Sequence, residues 1–145
     1  MTKQEFLAFS LPYKLFFRIE YGSTNQPTGI YQMSGVYETY VVEGFNYDDN
    51  VKTDKLKPIL HPLTDLTKEI EHNGEKFVPI QDMLECAFAP MSMSAIEANK
   101  DYFNDIYSSN FGDVLQLIEW HFDIAGLIEN GEAVDVNTLE VNPYK

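Results

Sequence analysis

Cysteine is nearly absent from this sequence, because Cys86 is the only one among its 145 residues. One cysteine cannot form an intrachain disulfide, which is consistent with a reducing compartment such as the cytoplasm. Its neighbours include Asp82 and Glu85, which supply no positive charge that would activate a thiol. We therefore interpret Cys86 as a small, buried, apolar side chain.

Long apolar segments and motifs for metals or nucleophiles are also missing. No segment reaches the about 18 apolar residues that a membrane-spanning helix needs. There is no HExxH motif, no paired cysteine spacing, no G-x-S-x-G motif and no glycine-rich phosphate loop. The three histidines, His61, His72 and His121, lie far apart in the sequence. We therefore expect no metal ion, no cofactor and no contact with a membrane.

Basic side chains are few, with ten against 23 acidic ones, and the formal net charge is −13. Residues 97–145 alone carry ten acidic side chains and only two lysines. Such a surface repels phosphate, which argues against binding a nucleic-acid backbone by the usual cationic route, and it attracts a basic protein. A simpler interpretation is that these charges only solvate the outer face of a helix. The candidate residues for an acidic binding surface are Glu119, Asp123, Glu129 and Glu132.

Apolar residues make up 44% of the chain and aromatic residues 14%, which is enough for the core of a single domain over residues 1–145. Alternation of residue types with a period of two predicts strands over residues 13–21 and 30–45. The second of these is expected to break near Ser34-Gly35. An antiparallel meander is the simplest arrangement of such strands.

Prolines and one Asn-Gly pair predict the organisation of the middle of the chain. Pro58 and Pro62 exclude both a helix interior and a central strand, so we expect an extended edge segment around them. Asn73-Gly74 predicts the type I′ turn of a hairpin, because both residues tolerate a positive φ. Pro79 suits the first position of a following helix.

A long amphipathic helix is predicted over residues 113–130. Its broad apolar face contains Val114, Leu117, Ile118, His121, Ile124, Ala125 and Ile128. Gly131 is expected to end the helix in a left-handed conformation. The predicted fold class is therefore α+β, with an antiparallel sheet from the N-terminal half packed against this long C-terminal helix.

His121 is the candidate pocket residue, because it lies near the middle of that apolar face. Burial of an imidazole costs free energy unless both ring nitrogens find partners. The simpler interpretation is a core histidine bonded to a backbone carbonyl or a tyrosine hydroxyl. The functional alternative is a general base or a residue that lines a ligand pocket.

Two blocks of sequence carry a family resemblance. The first is residues 56–70, LKPILHPLTDLTKEI, and the second is residues 117–129, LIEWHFDIAGLIE, which continues into AVDVN at residues 133–137. Both blocks resemble small proteins of no known activity that tailed phages and prophages of gut bacteria encode. The resemblance implies a phage accessory protein in the cytoplasm of an infected host cell, and it assigns no site residue.

Three functional hypotheses follow from these observations. The first is a non-enzymatic phage or prophage accessory protein that binds another protein through acidic surface, for example as a modulator or inhibitor of a host factor. The second is a small enzyme with a cleft lined by His121. The third is a structural or assembly protein of the virion, with the segment Pro58–Pro62 as a contact. The acidic surface favours the first hypothesis.

Overall fold

The described part of the chain is α+β, with three α-helices and eight short strands. A computed structural model describes residues 1–20, 22, 27–36, 40–43, 50–85 and 111–145. Cys86 lies outside these residues. Among them, no helix is both long enough and apolar enough to cross a membrane.

A six-stranded sheet is the largest element of the fold. Its strands are β1 (Phe16–Ile19), β2 (Gly29–Val36), β3 (Tyr40–Glu43), β4 (Asn50–Lys52), β5 (Leu56–Leu60) and β8 (Val134–Asp135). Their order is β4-β3-β2-β1-β5-β8, antiparallel from β4 to β5, whereas β8 is parallel to β5. The predicted break near Ser34 is a shift of register between Met33 and Gly35.

The segment around Pro58 is not at the edge of the sheet, and this prediction was wrong. Strand β5 lies between β1 and β8, and Pro58 is buried opposite Phe17 of β1. The sheet tolerates this proline because β8 pairs only with Ile59 and Leu60. At Pro58 the strand therefore has a neighbour on one side only, and a missing backbone N–H can face the open side.

The predicted hairpin and the helix after it are confirmed. Strand β6 (Ile70–His72) pairs with β7 (Glu75–Phe77), and the turn residues Asn73 and Gly74 have φ values of 52° and 82°. Both values are positive, as a type I′ turn requires. Helix α2 (Pro79–Glu85) then begins at the proline.

Helix α1 (Lys3–Ser10) closes one side of the core. It begins with a capping box, in which the hydroxyl of Thr2 accepts the N–H of Glu5 and the carboxylate of Glu5 accepts the N–H of Thr2. Phe6 and Leu7 of this helix are fully buried. They belong to the same apolar cluster as the sheet residues.

The long C-terminal helix is the main difference from the predicted fold. Helix α3 spans Phe111–Glu119, whereas the apolar periodicity predicted a helix over residues 113–130. Leu117 and Ile118 are buried as predicted, so the orientation of the helix is correct where it exists. Beyond it the chain becomes extended at Phe122, which forms a parallel bridge with His61 next to β5. At Phe122 the backbone therefore pairs with the chain next to β5, and the helix does not continue.

Candidate functional site

Helix α3 ends in a Schellman motif with a histidine at the left-handed position. The N–H of His121 donates to the carbonyl of Ile118, and the N–H of Phe122 donates to that of Leu117, both at 2.9 Å. His121 has a φ of 59°, a region where glycine is usual and another residue costs about 1 kcal/mol. The carbonyl of His121 then accepts the N–H of His61 at 2.8 Å. The helix end therefore directs a bulky imidazole into the interior.

All three histidines of the chain meet around one tyrosine, Tyr144. The rings of His121 and Tyr144 stack, with centroids 4.2 Å apart and an interplanar angle of 27°. The centroid of His72 lies 5.4 Å from that of His121 and 5.8 Å from that of Tyr144, and the centroid of His61 lies 6.3 Å from that of Tyr144. The exposed fractions of His61, His72, His121 and Tyr144 are 2%, 6%, 1% and 4%. We call these four residues the imidazole cluster.

Several imidazole nitrogens in this cluster lack a hydrogen-bond partner. Within the described chain, both ring nitrogens of His61 and the Nδ1 atoms of His72 and His121 are buried and unpaired. A buried polar atom without a partner costs on the order of 1–3 kcal/mol. Such an arrangement is uncommon in a core that has only a structural role, so it marks the cluster as a candidate site.

Tyr144 is held in place by hydrogen bonds through both its side-chain hydroxyl and its backbone. Its hydroxyl donates to the carbonyl of Ile59 at 2.7 Å and accepts the N–H of Phe16 at 3.1 Å. Its own carbonyl accepts the N–H of Asn73 at 2.7 Å. Asn142 supports the same segment, because it donates to the carbonyl of Glu71 and accepts the N–H of Tyr144. The tyrosine therefore fixes the C-terminal segment to the sheet and to the hairpin turn.

Burial governs the ionisation of His121, His72 and Tyr144. Burial lowers the pKa of His121 to about 3, with smaller contributions from His72 and His61, and a hydrogen bond to the backbone of Tyr13 opposes the shift. Burial, followed by the charge of His61, lowers the pKa of His72 to about 4. Burial also raises the pKa of Tyr144. The two imidazoles and the phenol are therefore neutral near pH 7.

His121 and His72 line a cleft of about 490 Å³, which we call the His121 cleft. Its wall includes Lys14, Glu119 and Lys145 in addition to the ring of Tyr144. Neither lysine makes an ion pair with another described residue. The predicted pocket residue therefore does border a cleft, although its side chain is almost entirely enclosed.

A second cleft of about 510 Å³ lies beside His61 and Asp65. The carboxylate of Asp65 accepts the side-chain N–H of Asn137 at 2.7 Å and that of Lys68 at 3.4 Å, and lies 3.6 Å from Nδ1 of His61. Burial raises the pKa of Asp65, but these three neighbours together outweigh burial and hold it below its ordinary value. The carboxylate of Asp65 is thus ionised and accepts hydrogen bonds from Asn137 and Lys68, whereas Nδ1 of His61, at 3.6 Å, lies just beyond hydrogen-bond distance.

The four acidic candidates fall into two environments. Glu119, Glu129 and Glu132 are exposed, as an acidic surface requires. Asp123 is only 6% exposed, and its two carboxylate oxygens accept the N–H groups of Leu127 and Ile128, both at 2.8 Å. Asp123 therefore holds the backbone together and does not contribute to the surface.

Residues 124–133 form a succession of turns that we call the acidic loop. Glu132 N–H donates to the carbonyl of Leu127 at 2.7 Å, and Gly131 N–H donates to that of Ile128 at 3.0 Å. Gly126 and Gly131 have φ values of 71° and 74°, so both turns use the positive φ that glycine adopts without strain. The left-handed Gly131 was predicted, but it ends a turn and not a helix. The loop presents Glu129 and Glu132 on a fixed backbone.

The residues that meet at the site come from distant parts of the chain. Among the described residues, no group of three histidine, cysteine or acidic side chains is placed to hold a metal ion. Sequence reasoning selected His121 and missed His61, His72 and Tyr144. No local pattern marks these three, because only the pairing of β5 with the end of α3 and the hairpin brings them together.

Comparison of the chain with protein-family models, curated proteins and solved structures gave no match. The chemistry of the site therefore follows from its own geometry.

Proposed function

We propose that this chain is an accessory protein that binds a basic protein partner through the acidic loop and acts by binding, not by catalysis. The observation that carries the proposal is the loop itself, in which two exposed carboxylates stand on a backbone held by internal hydrogen bonds. The phage or prophage setting that the two sequence blocks suggest belongs to the same proposal. A host factor of positive charge is then the expected partner.

The order of the acidic loop favours recognition. Asp123 accepts two backbone N–H groups at the start of the loop, and Leu127 accepts the N–H groups of Glu132 and Ala133 at its end. A loop that is already ordered loses little conformational entropy when a partner binds. Glu129 can therefore contribute its charge to a complex without the cost of fixing the backbone.

The charge around the loop supports a cationic partner. Residues 111–145 contain seven acidic side chains and one lysine. Glu132 interacts with the charge of Lys3: burial lowers the pKa of Lys3, and the negative charge of Glu132 opposes that shift. Glu129 makes no ion pair with another described residue. Such a field speeds the encounter with a basic protein and makes the association sensitive to salt.

The two other hypotheses have less support. A virion contact at Pro58–Pro62 loses its motivating observation, because Pro58 is buried inside the sheet. The enzymatic hypothesis keeps the cleft that His121 lines. The hydroxyl of Tyr144 in that cleft is already bonded to two backbone groups and is not placed to act as a nucleophile or base.

Capture from bacterial lysate with three forms of the immobilised chain tests the proposal. The forms are the wild type, the double variant Glu129→Gln/Glu132→Gln, and the control Glu69→Gln/Glu75→Gln. Both doubles remove two exposed charges, so net charge is matched. We expect a basic protein that the wild type and the control retain and the loop variant loses.

Salt dependence completes this test. Raising the salt from about 0.05 M to about 0.5 M should release the captured protein, because screening shortens the range of the attraction. Equal retention by the loop variant and the control would show that the acidic loop is not the binding surface. Absence of any captured protein at low salt would count against the proposal as a whole.

A further inference from the structure

The geometry points to a binding site for a small oxyanion, a carboxylate or a phosphate, in the His121 cleft. This inference is independent of the acidic loop, because no residue of that loop lines the His121 cleft. It rests on three observations: two lysines line the cleft, two buried imidazoles with unpaired nitrogens line it as well, and its volume is about 490 Å³.

The charge of the cleft contrasts with the charge of the chain. The chain has more than twice as many acidic as basic side chains. Among the described side chains the His121 cleft reverses this ratio, because its wall holds the two lysines Lys14 and Lys145 and one acidic side chain, Glu119. Lysine ammonium groups without ion pairs are the usual point charges for a phosphate or a carboxylate. An anion in this cleft therefore meets local attraction within a repelling field.

The buried imidazoles supply the second observation. The Nδ1 atoms of His72 and His121 are enclosed and unpaired, and both residues line the cleft. An imidazole that takes up a proton becomes positively charged, and a nearby anion stabilises that charge through space even though the Nδ1 atom itself is shielded from the cleft. An anion that enters the cleft compensates the positive charge that burial otherwise opposes. Binding and proton uptake are therefore coupled.

The surroundings of the two imidazoles define which groups share this coupling. The titratable and charged residues of the described chain that line the cleft or contact the two rings are Tyr13, Lys14, His61, Glu119, Tyr144 and Lys145. Tyr144 is neutral at the relevant pH. The positive charges of the two lysines therefore disfavour protonation of the rings, and the negative charge of Glu119 favours it. Asn73 of the hairpin turn adds a side-chain amide to the same wall. The pocket is large enough for a ligand of several heavy atoms, because its volume is about 490 Å³.

NMR titration of the full chain tests this site. Sulfate is the first probe, because it keeps two negative charges throughout the pH range, and inorganic phosphate and acetate then distinguish the two ligand classes. Ionic strength is held constant with sodium chloride. We expect saturable shifts of the ring resonances of His72 and His121, with His61 as the internal reference because it lines the other cleft. Sulfate binding should tighten as the pH falls from about 7 to about 5.

Substitutions of single surface charges sharpen the result without disturbing the core. Lys14→Ala should weaken sulfate binding about tenfold, whereas Lys68→Ala in the other cleft should leave it unchanged. Glu119→Gln should tighten it about threefold, because a repelling carboxylate is removed. Equal effects of Lys14→Ala and Lys68→Ala, shifts of His61 as large as those of His121, or no saturable shift would each overturn the inference.

Discussion

The imidazole cluster and the acidic loop differ in how their polar groups are satisfied, although His121 of the cluster lies only three residues before the loop begins. In the imidazole cluster, polar rings are buried and several nitrogens have no partner in the described chain. In the acidic loop, backbone groups are bonded and the carboxylates of Glu129 and Glu132 are in water. The imidazole cluster therefore has buried nitrogens without hydrogen-bond partners, and the acidic loop has exposed carboxylates on the surface. The ligands proposed above for these two regions are of opposite sign.

Asp123 connects the two regions and shows why they differ. It lies two residues after His121, and its carboxylate supports the start of the acidic loop by accepting the N–H groups of Leu127 and Ile128. Its own N–H donates to the carbonyl of His61 at 2.9 Å. The buried carboxylate of Asp123 binds backbone N–H groups and so holds the loop in place. The exposed carboxylates of Glu129 and Glu132 remain in contact with solvent.

The largest expected effect separates the two faces of helix α3. Ile118→Asp places a charge at a site that is 1% exposed, which should cost on the order of 5 kcal/mol and unfold the domain. Glu119→Ala should change the free energy of unfolding by less than about 0.5 kcal/mol. Urea unfolding at neutral pH measures both. Similar losses in the two variants would contradict the orientation of the helix.

Acid should destabilise the fold through His72 and His121. The folded-state pKa values of His72 and His121, about 4 and about 3, lie below the unfolded value of 6.5. The unfolded state therefore binds protons first, so stability is complete above pH 6.5 and falls as the pH drops toward these values. Between about pH 6.5 and about pH 4, His121 should account for a loss on the order of 3 kcal/mol, and the better solvated His72 for less.

Urea unfolding at several pH values checks this expectation. The variant His121→Asn removes the titrating ring while keeping a residue that tolerates a positive φ. Its stability should be lower at neutral pH but should depend less on pH than that of the wild type. A wild-type stability that stays constant down to about pH 4 would show that the imidazoles are not held neutral by burial.

Asp123 and Glu129 provide a matched pair of acids for the next effect. Asp123→Ala removes the acceptor of one buried and one partly buried N–H group and should cost about 3 kcal/mol. Glu129→Ala should cost almost nothing, because the side chain is exposed. Thermal melting compares the two, and amide hydrogen exchange at Leu127 and Ile128 shows whether the loop has opened. Unchanged exchange in Asp123→Ala would argue against this anchoring role.

The smallest expected effect concerns the hydroxyl of Tyr144. Tyr144→Phe keeps the stacked ring but leaves the carbonyl of Ile59 and the N–H of Phe16 without that partner. The expected cost is about 1–2 kcal/mol, and the stacking on His121 should persist. A denaturation midpoint identical to that of the wild type would mean that the hydroxyl does not hold the C-terminal segment.

Local signals predicted the parts of the fold whose causes are local. The hairpin at Asn73-Gly74 and the helix that begins at Pro79 depend on the φ preferences of single residues, so the sequence alone predicts them. The alternation of residue types likewise predicts strand β1, in which the structure buries Phe17 and Ile19. The helix over residues 113–130 failed because its end depends on the pairing of Phe122 with His61, which lies 61 residues earlier.

The candidate site was predicted only in part for the same physical reason. His121 could be selected because it interrupts an apolar face, which is a local feature. Convergence of the three histidines on Tyr144 depends on the order of strands and on the path of the chain after helix α3. Pro58 shows the same limit, since its tolerance inside the sheet depends on how short the neighbouring strand β8 is.

The ring protons of the histidines, followed by NMR from about pH 8 to about pH 3, give the most direct test of the contrast between the two regions. Burial should keep His72 and His121 neutral until the pH is well below 5, while the fold persists. If both rings instead take up protons near the ordinary value of 6.5 in the folded chain, the imidazole cluster is not a buried, unpaired site and the contrast with the acidic loop is lost.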